Sequence, residues 1–290
     1  MTGALLARCT FPPSGSSVAC AVSGGADSLT LLALAVAAGC RATAIHVDHG
    51  LRKDSGREAD VVAAMARKLG ADFRAVQVKV GQGPNLEARA RAARYAALPA
   101  DVLTGHTADD QAETMLVNLL RGAASNGLSA MRPGVRRPIL ALRRHETEGF
   151  CAAIGLQVFH DPTNTDPRHL RNRVRHELLP LIAEISQRDP VPVLVRQADI
   201  SRADADFLDE LATEIDPCDA RSLAAAPIAL ARRAVRRWLS GDHPPDAATV
   251  ERVLAVARGE AAATDVGDGL SVRRSHQRLT RVPTNPGSSE

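Results

Sequence analysis

Two short stretches carry residue types whose spacing can do chemistry. In the first, Ser23-Gly24-Gly25-Ala26-Asp27-Ser28, two glycines and two serines stand just before the apolar helical pattern of Leu29, Leu32, Ala33 and Val36. Glycines that admit close approach, followed by a helix N-terminus, make an anion nest of successive N–H groups backed by the helix dipole. Ser23 and Ser28 can add hydroxyl donors. The carboxylate of Asp27 repels a bare phosphate, and a Mg²⁺ bound between them removes that objection. The pattern is neither G-x-x-x-x-G-K-[ST] nor G-x-G-x-x-G, so it supports neither γ-phosphate transfer of the Walker kind nor dinucleotide binding. A glycine turn with a plain helix cap is the structural alternative.

The second stretch is GHTADDQAETMLVNLLRG, residues 105–122. His106, Asp109, Asp110 and Glu113 are spaced three or four apart and fall near one face at the start of a helix. One acid there complements the helix dipole. Three acids beside a histidine exceed what capping needs. Such a cluster can hold Mg²⁺ or a cationic substrate, or accept a proton from an amine nucleophile.

Other charged residues leave alternatives open. In HVDHGLR (46–52), His46 and His49 have metal-like spacing, but no Cys or third His nearby completes a zinc set. A hydrogen-bonding role suits them better. Arg91 and Arg94 stand on one helical stretch, where either can cap a phosphate or be solvated. Arg171, Arg173 and Arg175 follow Asp161, Asn164 and Asp166. They can grip RNA or a nucleotide, or form a surface network with nearby acids. The pairs Arg232/Arg236 and Arg233/Arg237 read as a basic stripe without acidic partners, fit for a phosphate backbone or for a solvated face.

The elements that must position these residues follow from periodicity. Strands over 17–22, 41–49, 73–80 and 101–106 alternate with helices over 26–38, 55–71, 85–98 and 107–122. That alternation predicts an α/β fold, a doubly wound parallel sheet. Ligands of such sheets sit at the carboxyl ends of the strands, which here are Ser23–Gly25, Asp48–His49 and Gly105–His106. Residues 122–136 lose periodicity and gain Gly, Ser and Pro, so a mobile loop is expected. A long amphipathic helix follows over 190–215. Residues 227–239 and 246–259 predict a smaller, mainly helical unit, with strand-like pieces near 264–282. The expected division is an α/β domain over 1–189, a mainly helical C-terminal domain over 190–282, and a disordered tail over 283–290.

Composition sets limits on all this. In 290 residues, 45% are apolar and only 2% aromatic, so the core must be built from Ala, Leu and Val. The net charge is +3, with Arg far exceeding Lys; planar guanidinium groups suit phosphate and RNA backbones. Five cysteines, none in a C-x-x-C pair, read as reduced thiols of a cytoplasmic protein. No apolar run is long enough to span a membrane, and the first residues lack a signal-peptide pattern.

Taken together and in order, SGGADS, HVDHGLR, NLEARARAARY, TGHTADDQAET, LLRG and DPTN…RNRVR resemble the tRNA(Ile)-lysidine synthetases of the PP-loop ATP pyrophosphatase superfamily. The resemblance implies the adenine nucleotide alpha-hydrolase-like fold and a two-step ligation. ATP adenylates the C2 oxygen of the wobble cytidine in a CAU-anticodon tRNA(Ile), releasing pyrophosphate. The ε-amine of free L-lysine then attacks C2 and expels AMP, and the tRNA passes from methionine to isoleucine identity. The resemblance places ATP on Ser23, Gly24, Gly25, Ala26, Asp27 and Ser28, with Mg²⁺ on Asp27. It makes Asp27, Asp109, Asp110, Glu113 and Arg91 catalytic and His106 part of the lysine or nucleotide pocket. Arg171, Arg173 and Arg175 are then contacts to the RNA or nucleotide, and a homodimer is possible. The rivals are another PP-loop enzyme, such as a tRNA thiolase, and a non-catalytic RNA-binding module. Against the first stands the lack of paired cysteines, against the second the acidic cluster.

Overall fold

Short β-prone runs bounded by turn residues build the first sheet. The computed structural model describes residues 1–48, 55–78, 86–159, 166–241 and 244–284, leaving aside the side chains of 55–57, 86–88, 90 and 91. A short helix, Thr2–Leu6 (α1), precedes three parallel strands, Ser17–Ala21 (β1), Arg41–Asp48 (β2) and Asp72–Gln77 (β3). They lie in the order β1-β2-β3. On the other side of β1, Cys20 bridges Leu103 in parallel; Ala21 N donates to Leu103 O at 2.9 Å and Leu103 N to Ala19 O at 2.8 Å. The fourth strand position is therefore beside β1. The chain order reverses there, which is the switch point that opens a crevice at the strands' carboxyl ends.

Helices Ala26–Ala37 (α2), Ser55–Leu69 (α3) and Leu86–Ala97 (α4) connect the strands. The α2 helix is apolar on every side, with Leu29, Leu31, Leu32 and Leu34 fully buried. A helix of that kind must be covered all round. Its cover includes the helix Arg144–Ala153, which follows Ala108–Leu120 (α5) and Ser125–Leu128 (α6) and is named α7. Thr30 Oγ1 donates to Thr147 O at 3.1 Å and ties α2 to α7.

The segment 122–136, expected to be an irregular and mobile loop, contains α6 and is held at several points. Gln111 of α5, almost wholly buried, donates from Nε2 to Met131 O at 2.7 Å and accepts from Met131 N at 2.8 Å. Asn118 Nδ2 donates to Gly127 O at 2.8 Å. Side-chain amides on the neighbouring helix supply the order that the loop's own sequence lacks.

Leu170–Arg173 (α8), a π-helical turn over Val174–Leu178, Leu179–Ser186 (α9) and Pro190–Leu211 (α10) follow. The chain forms two compact units, Met1–Asp199 and Ile200–Glu290, with α10 running from the first into the second. The second unit contains Ala220–Ala225 (α11), Ile228–Leu239 (α12) and Ala247–Arg258 (α13). It also holds an antiparallel sheet of Ala263–Gly267 (β4), Leu270–Ser275 (β5) and Arg278–Pro283 (β6). Its core is its own, formed by residues such as Leu223, Val235, Leu254, Val272 and Leu279. The stripe on α12, expected to lack acidic partners, does not lack them. Arg232 pairs with Glu251 of α13 and Arg233 with Asp209 of α10, while Arg237 Nη2 donates to Ala212 O at 2.9 Å. Those acids are remote in sequence, so spacing along α12 could not reveal them. Among the described residues no helix is long and apolar enough to cross a membrane.

Candidate active site

The Ser23–Ser28 loop is shaped by two glycines. Gly24 has φ +86°, a conformation that side-chain-bearing residues rarely adopt. An added Cβ there would also meet Phe159 Cβ at 3.3 Å. Phe159 N donates to Gly24 O at 2.9 Å, which fastens the loop from outside. Gly105, at the end of the fourth strand position, faces the first turn of α2 so closely that a Cβ would stand 2.9 Å from Asp27 O. Between them, Ser28 Oγ accepts from Ser23 N at 3.2 Å and donates to Gly25 O at 2.9 Å. The loop lines a cleft of about 1020 Å³, whose wall also includes His106, Asp110, Arg144 and Arg175.

One guanidinium joins the two motifs. Arg144, the first residue of α7, sets Nε 3.3 Å from Asp27 Oδ2, Nη2 2.9 Å from Asp110 Oδ1 and Nη1 2.9 Å from Glu113 Oε1. Thr147, one turn on, donates to Asp27 Oδ1. Two more arginines close on the same acids. Arg171 reaches Glu113 Oε2 at 2.8 Å and Asp110 Oδ1 at 3.0 Å. Arg175, in the π-helical turn, holds Glu113 Oε1 at 2.6 Å and Oε2 at 3.0 Å. Three carboxylates thus face three guanidinium groups, and the Glu113 side chain has no exposed surface. Charges buried to this degree persist only when paired and hydrogen-bonded.

The pairing divides the acids electrostatically. Burial penalises the Asp110 charge, but Arg144, Arg171 and the Thr107 N–H outweigh it and hold the carboxyl at about 2. Glu113 is likewise lowered: burial opposes its charge, while Arg175 and Arg144 overcome that. Asp27 goes the other way. Burial raises it, Arg144 and Thr147 offset only part, and the nearby Asp110 charge adds to the rise. Arg144, desolvated but ringed by Asp110, Glu113 and Asp27, is held firmly in its charged form.

The other sequence-predicted residues separate into those near this cluster and those away from it. Asp109 turns to Arg143, with contacts of 3.1 and 3.2 Å. It also accepts from Arg144 N at 2.8 Å, capping α7. Arg143 in turn binds Asp189. Asp109 thus positions the start of α7 rather than facing the cleft. His106 lines the cleft, its Nδ1 2.8 Å from Thr104 Oγ1. Arg173 pairs with Glu177 on the exposed side of its helix and takes no part in the cluster. Arg91 belongs to α4, but its side chain lies outside the described residues, as does His49. Arg94 lines the cleft, its guanidinium 5.6 Å from the ring centre of Tyr95. His46 has the hydrogen-bonding role expected of it: it is buried, with Nδ1 3.0 Å from Val22 O. Sequence reasoning missed Arg143, Arg144, Thr147 and Gln111. The available signal was the excess of acid itself, since buried carboxylates require counter-charges from elsewhere.

Residues 4–182 match the model of a PP-loop domain, and residues 219–280 that of the TilS substrate binding domain. The chain is 40% identical to the tRNA(Ile)-lysidine synthase of Nocardia farcinica over 296 residues, covering 93% of each. It is 41% identical to that of Thermobifida fusca over 271 residues, covering 85% of this chain and 84% of the other. The chain belongs to the tRNA(Ile)-lysidine synthase family. Its fold is also that of the U34-tRNA thiolase of Methanococcus maripaludis, with a TM-score of 0.54 at 18% identity over 68% of this chain and 77% of the thiolase. That likeness concerns the fold alone. Within this member of the lysidine synthase family, the Ser23–Ser28 loop and the arginine-ringed Asp110 line one cleft.

Proposed function

We propose that this chain ligates free L-lysine to C2 of the wobble cytidine of CAU-anticodon tRNA(Ile), using ATP. Membership of the tRNA(Ile)-lysidine synthase family supports lysidine formation on tRNA(Ile), and the PP-loop domain supports the use of ATP. The observation that carries the reading to the residues is the Arg144 bridge from Asp27 to Asp110 and Glu113. It sets the acidic pair beside the loop that would hold the phosphates, which supports two successive steps on one base.

In the first step the C2 oxygen attacks the α-phosphate and pyrophosphate leaves. The Ser23–Ser28 loop receives the β- and γ-phosphates through backbone N–H groups and hydroxyls. No γ-phosphoryl group is transferred, so no Walker lysine is required. Asp27 suits a Mg²⁺ ion shared with the nucleotide. Among the described residues no three metal-ligating side chains come together, but Mg²⁺ on phosphates needs only one or two carboxylates. The raised affinity of Asp27 for a proton marks a buried negative charge that its neighbours undercompensate. When bound, the ion would neutralise charge building on the departing pyrophosphate.

In the second step the lysine ε-nitrogen bonds to C2, AMP leaves with the former C2 oxygen, and the nitrogen loses a proton. Asp110, the member of the pair that lines the cleft, attracts the ammonium form into place, while the enclosed Glu113 holds Arg171 and Arg175. A carboxyl held below its ordinary value by arginines is a weak base, so the part of Asp110 is to position the amine rather than to take its proton, which passes to water. Incubating the protein with ATP, Mg²⁺, labelled lysine and CAU-anticodon tRNA(Ile) tests the reading. Label in the RNA, with equimolar AMP and pyrophosphate, is expected; its absence from an active ATP-binding preparation would overturn the function.

A further inference from the structure

Three helices begin around one guanidinium. Asp109 lies in the first turn of α5, Arg143 is the residue before α7, and Asp189 immediately precedes α10. The Arg143 fork takes both carboxylates. On one edge Nε and Nη2 stand 3.1 and 3.2 Å from Asp109 Oδ2 and Oδ1. On the other, Nη1 donates to Asp189 Oδ2, and Nη2 stands 3.4 Å from Asp189 Oδ1.

Each carboxylate is itself tied to a helix start. Asp109 Oδ2 accepts from Arg144 N at 2.8 Å, and Asp189 Oδ1 accepts from Val191 N at 3.0 Å. Pro190, at the first position of α10, has no N–H to leave unpaired and a φ already suited to the helix. Val191, Leu194 and Val195 of α10 share an apolar cluster with Ala112, Leu116 and Val117 of α5. An ion pair between two freely moving surface side chains contributes little. Here both acids are fixed to helix ends, and the Arg143 side chain is only 20% exposed.

This chain of contacts ends on the residue that joins the two motifs of the cleft. Arg144 follows Arg143 directly, and the Asp109 oxygen that holds its N–H also accepts from Arg143 Nε. Without the Asp189 charge, the outer edge of the Arg143 fork loses its acceptor, and that fork clamps α7 to α5 alone. We infer that Asp189 is a positioning residue for the ligation. Through Arg143 and Asp109 it fixes the first turn of α7, and with it the reach of Arg144 to Asp27, Asp110 and Glu113. Its effect on turnover rests on the function proposed above, in which Arg144 joins the Ser23–Ser28 loop to the acidic pair.

Asp189→Asn separates this role from helix capping. Asparagine caps a helix about as well as aspartate, so Val191 N keeps an acceptor while Arg143 loses a charged one. In tRNA-dependent ATP–pyrophosphate exchange, kcat should fall about tenfold, the scale of a misplacement below 1 Å. The KM for ATP should stay within about twofold, since uniform binding is untouched. Melting temperature should stay near wild type. Asp189→Ala, which also removes the cap, should add a lower melting temperature to the same loss of rate. The same change in an Arg144→Lys background should cost under about twofold, because residues that act through one another do not add. A wild-type kcat in Asp189→Asn would overturn the clamp, and so would an equal loss in both backgrounds. Lysine incorporation is read separately. A wild type that exchanges pyrophosphate but incorporates no lysine overturns the proposed function, while the exchange comparison still decides the clamp.

Discussion

The Arg144 guanidinium meets Asp27 across 117 positions of sequence, Nε to Oδ2 at 3.3 Å. The same side chain reaches Asp110 and Glu113, so one residue sets the distance between the phosphate loop and the acidic pair. A lysine there keeps one charge but cannot fork across three carboxylates. Arg144→Lys should cut ATP–pyrophosphate exchange about 100-fold, the scale of losing one fixed transition-state partner. Arg144→Met should in addition cost about 3 kcal/mol of stability, by leaving buried acid undercompensated. Exchange assays and denaturant unfolding measure the two separately. A lysine variant with near-normal exchange would remove Arg144 from the site.

Asp27 and Asp110 should respond oppositely to neutralisation. The Asp110 carboxyl falls from 3.8 to about 2 on folding. Its ionised form therefore stabilises the fold above pH 3.8, and that contribution fades as pH drops toward 2. Asp110→Asn should cost about 2 to 3 kcal/mol at neutral pH, the scale of a fall from 3.8 to about 2 at about 1.4 kcal/mol per pH unit. Asp27 is raised on folding, so its ionisation opposes folding as pH climbs past its ordinary value. Asp27→Asn should leave stability unchanged or higher at pH 7, while abolishing exchange. Parallel denaturation curves at neutral pH decide this; equal destabilisation by both variants would refute the division.

The motifs that could be seen in sequence were those whose parts are local. Ser23–Ser28 and His106–Glu113 each lie within a single strand–helix junction, where spacing alone predicts a shared face. The alternation of strands and helices was legible for the same reason. Arg144 was not, because its partners Asp27 and Asp110 lie 117 and 34 positions away, and the doublet Arg143-Arg144 resembles any charged helix start. The same limit acts in reverse on α12. Its arginines looked unpartnered because Glu251 and Asp209 come from other helices. Arg173 sits between Arg171 and Arg175 in sequence, yet it turns outward to Glu177, since only positions four apart share the inward face.

Gln111 should behave as a clasp on the 122–136 segment. Its amide supplies both partners of the Met131 main chain, an arrangement leucine matches in size but not in polarity. Gln111→Leu should cost about 1 to 3 kcal/mol, the range for stranding buried polar groups. Amide exchange at Met131 should accelerate while the β1 amides stay protected. Unchanged protection at Met131 would show that the segment is ordered by something other than the clasp.

Thr147 gives the most specific test of how Asp27 is tuned. Its hydroxyl donates to Asp27 Oδ1, and this bond pulls the Asp27 carboxyl down against the burial that raises it. The side chain is wholly buried, so valine fits the volume and deletes only the donor, a change that is not conservative inside a core. Asp27 then rises further, and the ionised form that the proposed Mg²⁺ role requires is reached only at higher pH. Thr147→Val should move the acid limb of the exchange rate upward in pH, with the plateau recovered under alkaline conditions. Thr147→Ser restores the hydroxyl and should restore the wild-type limb. A valine variant slowed equally at every pH would mean that Thr147 shapes the loop rather than the charge on Asp27. A valine variant with an unshifted limb and full rate would mean that the bond carries no catalytic weight.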